Sequence, residues 1–253
     1  MFKSIICLII GFLLTNYCYA GTIHHSIPDS DYIEYANGVN CVVEIKGTKK
    51  EEDGSKTHFV ASCVIIKDRW IATAGHVVVK DTEYAIKVKN EWIKVREFFV
   101  HPDFDKYDYG DADIALGFLD KKVKIDFIPK LYTENDEVNK VACIVGYGTT
   151  GNASTNIRVT DNKKRAGTNR IIKRYKEALV CNMDRTNPTA YEFCIMPGDS
   201  GGGLFIDKKL AGINSCIMNV KGSLKGSYGT ESYFTRISSP PVMEWLNFIL
   251  DDK

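Results

Sequence analysis

The sequence predicts an all-β fold closed by one C-terminal helix. Short apolar, β-branched runs recur at 8–20-residue spacing, broken by Gly, Asn, Asp and Pro. Only the last stretch has a clear helical period. Removing a leader of 20 residues leaves about 233, enough to bury a core as one large all-β domain or two smaller ones.

The elements follow in order. The chain opens "MFKSIICLIIGFLLTNYCYAG", with Lys3 ahead of an apolar run at 5–14. That run is too short for a bilayer span, which needs ~20 residues. Cys18 and Ala20 are small residues placed for a cut before Gly21. Residues 1–20 therefore read as a secretory signal peptide, and the product as exported to the periplasm or the medium. The next segment, "HHSIPDSDYIEYAN" (24–37), is polar. A metal could be drawn onto His24, His25, Asp29 and Asp31, but an exposed, flexible segment is expected, with no metal.

Strands are expected at "CVVEIKG" (41–47), "HFVASCVII" (58–66), "WIATA" (70–74), "YAIKVK" (84–89), "WIKVREFFV" (92–100) and "IALGFL" (114–119). The pattern relaxes over "KIDFIPKLYTENDE" (124–137). It resumes at "KVACIVGYG" (140–148), "NRIIKR" (169–174), "EALVCNM" (177–183), "GGLFI" (202–206), "KLAGINSC" (209–216) and "SYFTRI" (232–237). The terminal "SSPPVMEWLNFILDDK" offers Ser239 as a cap, prolines for the first turn, and Val242, Trp245, Leu246 and Ile249 on one face.

Net charge is +1, with acids and bases interspersed. No basic face calls for nucleic acid or a membrane surface. The basic run "NKKRAGTNR" (162–170) is expected to be a solvated loop. Six cysteines remain beyond the leader: Cys41, Cys63, Cys143, Cys181, Cys194 and Cys216. An even number in an exported chain suggests disulfides. A symmetric hairpin around "TKKEEDGSK" would set Cys41 opposite Cys63, within bridging distance. The other four cysteines allow three pairings, and no CxxC spacing suggests zinc.

Three stretches carry candidate chemistry. In "WIATAGHV" (70–77), His76 lies just past an apolar strand. In "DADIALGFL" (111–119), Asp113 opens a buried-looking run, where an unpaired carboxylate would be costly. In "CIMPGDSGGGLF" (194–205), Ser200 sits among glycines. A serine hydroxyl becomes a nucleophile when a histidine can take its proton and an aspartate orients that histidine. Backbone N–H groups at Gly198 and Ser200 could hold an oxyanion.

The order His76, Asp113, Ser200, set in "TAGH", "DIAL" and "GDSGG", resembles the chymotrypsin/trypsin-like serine peptidases, over nearly all the chain beyond the leader. "VGYGTTG" (145–151) and "LAGINS" (210–215) are similar to further family stretches, and "HHSIPDSDYIEYAN" resembles a secreted bacterial branch. The resemblance implies two antiparallel six-stranded β-barrels, 21–128 and 129–253, with a C-terminal helix and the site between them. It implies His76 as base, Asp113 as its orienting acid, Ser200 as nucleophile, and Gly198 and Ser200 as the oxyanion hole. Ser215 would hold Asp113, while Ser215, Cys216 and Ile217 would bind an extended polypeptide substrate. No cofactor is implied, and the chain is expected to act as a monomer.

The chain departs from the family in several places. Val77 stands where a disulfide often flanks the histidine. Cys216 replaces a common aromatic, and pairing with Cys194 would tie the cleft wall to the nucleophile loop. Cys194 falls where a charged pocket base would be, so cleavage after Lys or Arg is not assigned and the side-chain preference stays open. Glu192 and Glu231 are expected to be solvated. No "IVGG" start is present, so Asp199 would need an N-terminus near Gly21 or an internal partner. The alternatives are a silent homologue acting as a binding module, or an esterase on the same residues.

Overall fold

The computed structural model describes residues 21–105, 110–155, 157–219 and 226–251. The expected signal segment, 1–20, lies outside the described residues. The chain enters through a short strand β1 (Thr22–Ile23) and helix α1 (Asp29–Ala36). Six strands follow: β2 (Val42–Lys50), β3 (Lys56–Lys67), β4 (Trp70–Thr73), β5 (Thr82–Val88), β6 (Glu91–Val100) and β7 (Ala115–Leu119). They close as an antiparallel barrel in the order β2-β3-β4-β7-β6-β5. Period-two patterning places them. In β5 and β6, Tyr84, Ile86, Val88, Ile93 and Val95 face inward while Lys87, Glu91 and Lys94 face solvent. Closure leaves no open sheet edge.

The second half supplies β8 (Val141–Gly146), β9 (Thr150–Asn152), β10 (Arg158–Val159), β11 (Arg165–Tyr175), β12 (Ala178–Asn182), β13 (Phe193–Cys194), β14 (Gly203–Ile206), β15 (Lys209–Met218) and β16 (Glu231–Arg236). Six of these close a second antiparallel barrel, β11-β12-β16-β15-β14-β8. The remaining three join β1 in a four-stranded sheet, β10-β9-β1-β13. The all-β fold of two six-stranded barrels is therefore as expected.

Each end of the chain packs on the opposite half. Helix α2 (Pro240–Asp251) lays Val242 and Leu246 into the core that holds Ile71, Leu116 and Val123 of the first barrel. Conversely, β1 pairs with β9 and β13 of the second half. These crossed contacts fasten the two barrels and hold the cleft between them.

Several expectations are corrected. Segment 24–37 is only partly exposed: it carries helix α1, with His24, Tyr32 and Ala36 buried and His25, Ser26, Glu34 and Tyr35 exposed. Thr22 and Tyr32 are fully buried, and the Tyr32 hydroxyl donates to the Glu192 carbonyl at 3.0 Å. The run at 162–170 is no solvated loop either. It enters β11, and buried Arg165 grips Asp29 at 2.6 and 2.7 Å and Asp161 at 2.9 and 2.7 Å. In the β2–β3 hairpin, Cys63 lies opposite Val43, and Val42 opposite Val64. Cys41 is thus two residues out of register with Cys63, and both thiols are free. Cys194 and Cys216 are free as well, so the disulfides expected of the cysteines are not formed. The Ser239 hydroxyl caps nothing among the described residues. Pro240 and Pro241 follow it and bring no N–H for a cap to bind.

Candidate active site

The site lies where the barrels meet, and each of its side chains hangs from a strand end. His76 sits in a single 3-10 turn, Gly75–Val77, directly after β4. Asp113 stands just before β7 and is 1 % exposed. Ser200 occupies the tight loop between β13 and β14. The structure brings the three together although 37 and 124 residues separate His76 from its two neighbours.

His76 Nδ1 is 2.8 Å from Asp113 Oδ2, and the His76 backbone N–H donates to Asp113 Oδ1 at 2.9 Å. An ionised carboxylate only accepts, so Nδ1 carries the proton and Nε2 is left as an acceptor. Ser200 Oγ lies 2.9 Å from that Nε2. Ser215, expected beside Asp113, donates its hydroxyl to Oδ2 at 2.5 Å. Burial pushes the Asp113 carboxyl up, but hydrogen bonds from His76 and Ser215 outweigh it and hold it below the ordinary carboxylate range. Thr235 completes the clamp by donating to the Asp113 carbonyl at 2.9 Å.

The loop that carries Ser200 has a backbone that only glycine tolerates at two points. Gly198 has φ +94° and Gly201 φ +81°. A Cβ on Gly201 would come within 2.0 Å of Thr73 Oγ1, so the loop also needs that position bare to close on β4. The Gly198 and Ser200 N–H groups donate to no other group among the described residues. Asp199 turns away from the cleft and is fully buried. Burial pushes its carboxyl up to about 7, against backbone N–H groups of Met196, Gly148 and Gly21 that favour the ionised form.

Cys216 and Ile217 line the cleft with Ser215, facing Ile195, Met196 and Pro197 across about 430 Å³. Beyond Ile213, β15 pairs with β16 but no longer with β14. Asn214 still bonds Gly201 and Gly202 through its backbone, and from Ser215 on that edge has no strand partner among the described residues. Glu192 is not solvated: it is 1 % exposed. Its carboxylate accepts the N–H groups of Asp184 and Thr189 and the Thr189 hydroxyl at 2.8–2.9 Å. Burial raises its pKa. Glu231 is half-buried and tied to Lys173 and the Tyr233 hydroxyl at 2.7 and 2.8 Å. Among the described residues no group of His, Cys, Asp and Glu is arranged for a metal.

Ser62, fully buried in β3, links three pieces of the site. Its hydroxyl donates to the Gly198 carbonyl and accepts the Tyr147 N–H, both at 2.9 Å. Its own N–H donates to the Ser200 carbonyl at 2.9 Å, and its carbonyl accepts from Thr73 Oγ1 at 2.8 Å. The only local sign is a hydroxyl inside the apolar run "HFVASCVII".

A family model described as Trypsin matches residues 34–245. The structure is similar to that of neuropsin, described as a serine protease expressed in the limbic system of mouse brain. The TM-score is 0.63, with 17 % identity over 84 % of this chain and 95 % of that one. At that identity the likeness speaks for the fold. No curated protein matches the chain in sequence. The family model spans most of the chain, and the chain therefore belongs to the trypsin family.

Proposed function

We propose that this chain is an exported serine endopeptidase that cleaves polypeptides through an acyl-enzyme on Ser200. The observation that carries the reading is the unbroken hydrogen-bonded line from Asp113 through His76 to Ser200. His76 Nε2 takes the Ser200 proton as Oγ attacks the scissile carbonyl carbon. Negative charge then grows on the carbonyl oxygen, where the Gly198 and Ser200 N–H groups receive it. His76 passes its proton to the departing amine. Water repeats the sequence and frees the acid. Asp113 keeps Nδ1 protonated and stabilises the imidazolium without accepting the proton itself. The open edge of β15 at 215–217 takes the substrate as an added strand.

A fluorophosphonate probe tests this. The chain beginning at Gly21 should be labelled once, on Ser200, and labelling should stop its hydrolysis of casein. Absence of labelling, or casein hydrolysis by the labelled chain, overturns the reading. Hydrolysis of an ester but not of a peptide would make it an esterase.

Ser62 is assigned a positioning role. Ser62→Ala removes the group that pins the Gly198 carbonyl, and an unmet buried partner costs ~1–3 kcal/mol. If that loosening reaches the oxyanion donors, kcat should fall about tenfold with KM little changed, because the loss is felt where charge develops. Stopped assays on peptide and casein check this. A rise in KM alone would show that Ser62 only shapes the cleft.

A further inference from the structure

We propose that a cavity at the seam of the two barrels, walled by Glu44, Tyr147 and Lys164, binds short peptides with both chain ends free, and that its occupancy is felt at Ser200. The binding stands on the cavity alone, and only its effect on Ser200 rests on the hydrolytic reading.

The cavity holds about 390 Å³, a size for a small molecule rather than a folded partner. Strand β2 contributes Glu44, β5 contributes Lys87, the turn after β8 brings Tyr147, and the approach to β11 brings Lys164. Val43, Val88 and Ile125 give it an apolar lining. It shares no residue with the cleft that holds His76 and Ser200.

Two opposite charges on its wall lack counter-charges. Glu44 is half-buried, and among the described residues no hydrogen bond engages its carboxylate. Burial raises its pKa against the weaker pull of Lys87 and Lys46. Lys87 lies directly opposite Glu44 in the β2–β5 register, but its ammonium leans over the Trp92 ring, 5.9 Å from the centroid. Lys164 is the reverse case. Its ammonium donates to the Val39 carbonyl at 2.7 Å and meets no carboxylate among the described residues. Burial lowers its pKa. Asp29 and Asp161 are taken up by the neighbouring Arg165. Asp126 and Lys89, the other charges on the wall, are exposed to water.

Glu44 and Lys164 do not pair with each other either. A simple anion would suit Lys164 and be repelled by Glu44, and a simple cation would do the opposite. A peptide with a free amino end and a free carboxyl end answers both charges. Each extended residue lets its ends reach ~3.5 Å further apart. Small products of polypeptide hydrolysis have this chemistry.

The route to Ser200 is short. Tyr147 stands close enough to Glu44 for its hydroxyl to feel that charge. The Tyr147 N–H donates to Ser62 Oγ, which donates to the Gly198 carbonyl, both at 2.9 Å. A ligand on Glu44 therefore bears on the residue that pins the loop of Ser200.

Titration calorimetry with trialanine tests the binding, on a Ser200→Ala chain beginning at Gly21 so that nothing is cleaved. Trialanine should bind, and acetylating its amino end or amidating its carboxyl end should weaken it about tenfold or more. Glu44→Gln should leave trialanine no better than its acetylated form. Lys164→Gln should leave it no better than its amide. Where circular dichroism shows Lys164→Gln unfolded, Glu44→Gln alone decides. No binding of trialanine, or binding that neither variant weakens, overturns the site. In wild type, saturating trialanine should change the rate of fluorophosphonate labelling by about fivefold or more, and Glu44→Gln should abolish the change. An unchanged rate overturns the link to Ser200. If wild type takes no label with or without peptide, the hydrolytic reading fails, and calorimetry still decides the binding.

Discussion

Replacing Ser200 by alanine should lower kcat by about 10⁶, and His76→Ala should do nearly the same. The double variant should be little worse than either alone. In the proposed mechanism the two groups act as one unit: the proton leaves Oγ only if Nε2, 2.9 Å away, accepts it. Once either is gone the other has no task. Asp113→Asn should cost less, about 10⁴. An amide offers its N–H to His76 Nδ1, which flips the tautomer and puts a proton where Ser200 must donate. Ser215 would also face a changed partner, since its hydroxyl now donates to Oδ2. Residual hydrolysis above the uncatalysed rate should survive in all variants, because the Gly198 and Ser200 N–H groups remain. Single-turnover assays with an activated ester, run beside circular dichroism, separate lost chemistry from lost fold. Additive losses in the Ser200/His76 double variant would refute the shared role.

How the site was legible in the sequence follows from where its parts sit. His76, Asp113 and Ser200 each stand at the end of a buried strand, in a turn whose glycines and small residues are visible locally. The partners of 24–37 are not local, whereas the donors that engage buried Glu192 lie three and eight residues away. Tyr32 is buried because Glu192, 160 residues on, offers a carbonyl, and Arg165 is buried because Asp29 meets it from 136 residues away. No window of the sequence contains both members of such a pair.

The misjudged hairpin has a different cause. Its turn spans 51–55, with Gly54 at φ +85° and Glu51 N–H donating to Ser55 at 2.9 Å. That turn shifts the pairing by two residues from the symmetric arrangement. A slip of one would turn every side chain to the wrong face, but a slip of two preserves the faces. The apolar pattern therefore could not separate Cys63 opposite Cys41 from Cys63 opposite Val43.

The second large effect concerns Asp199 and Gly21, the residue that the proposed leader removal would leave first. We propose that cutting before Gly21 completes the site. The Gly21 N–H already reaches the Asp199 carboxylate, and β1 behind it is held between β9 and β13. Gly21 fits because it has no side chain: a Cβ there would lie within 1.9 Å of the Phe193 ring. In a chain still joined at residue 20, Asp199 has N–H donors and a minor pull from Arg165, whose charge is taken up by Asp29 and Asp161, and burial holds its pKa at about 7. Folding then favours the protonated acid. The resulting stabilisation is complete below the unfolded value of ~3.9 and is lost as pH rises through about 7. A free amino group at Gly21 reverses this. Its positive charge favours the carboxylate, and its own pKa rises above ~7.7–8.0. The pair is then intact at neutral pH and fails only as pH climbs through that raised value. A chain with one alanine placed before Gly21 should accordingly lose melting temperature between pH 5 and pH 8, while the chain beginning at Gly21 should not. Its hydrolysis should fall by about 10²–10³, the cost of losing one oxyanion donor, because the loop that carries Gly198 is no longer anchored through Asp199. Asp199→Asn should weaken the Gly21 chain to a similar degree and add little to the extended one. Equal activity and equal pH profiles in the two chains would mean that Asp199 is satisfied by the backbone of Met196 and Gly148 alone.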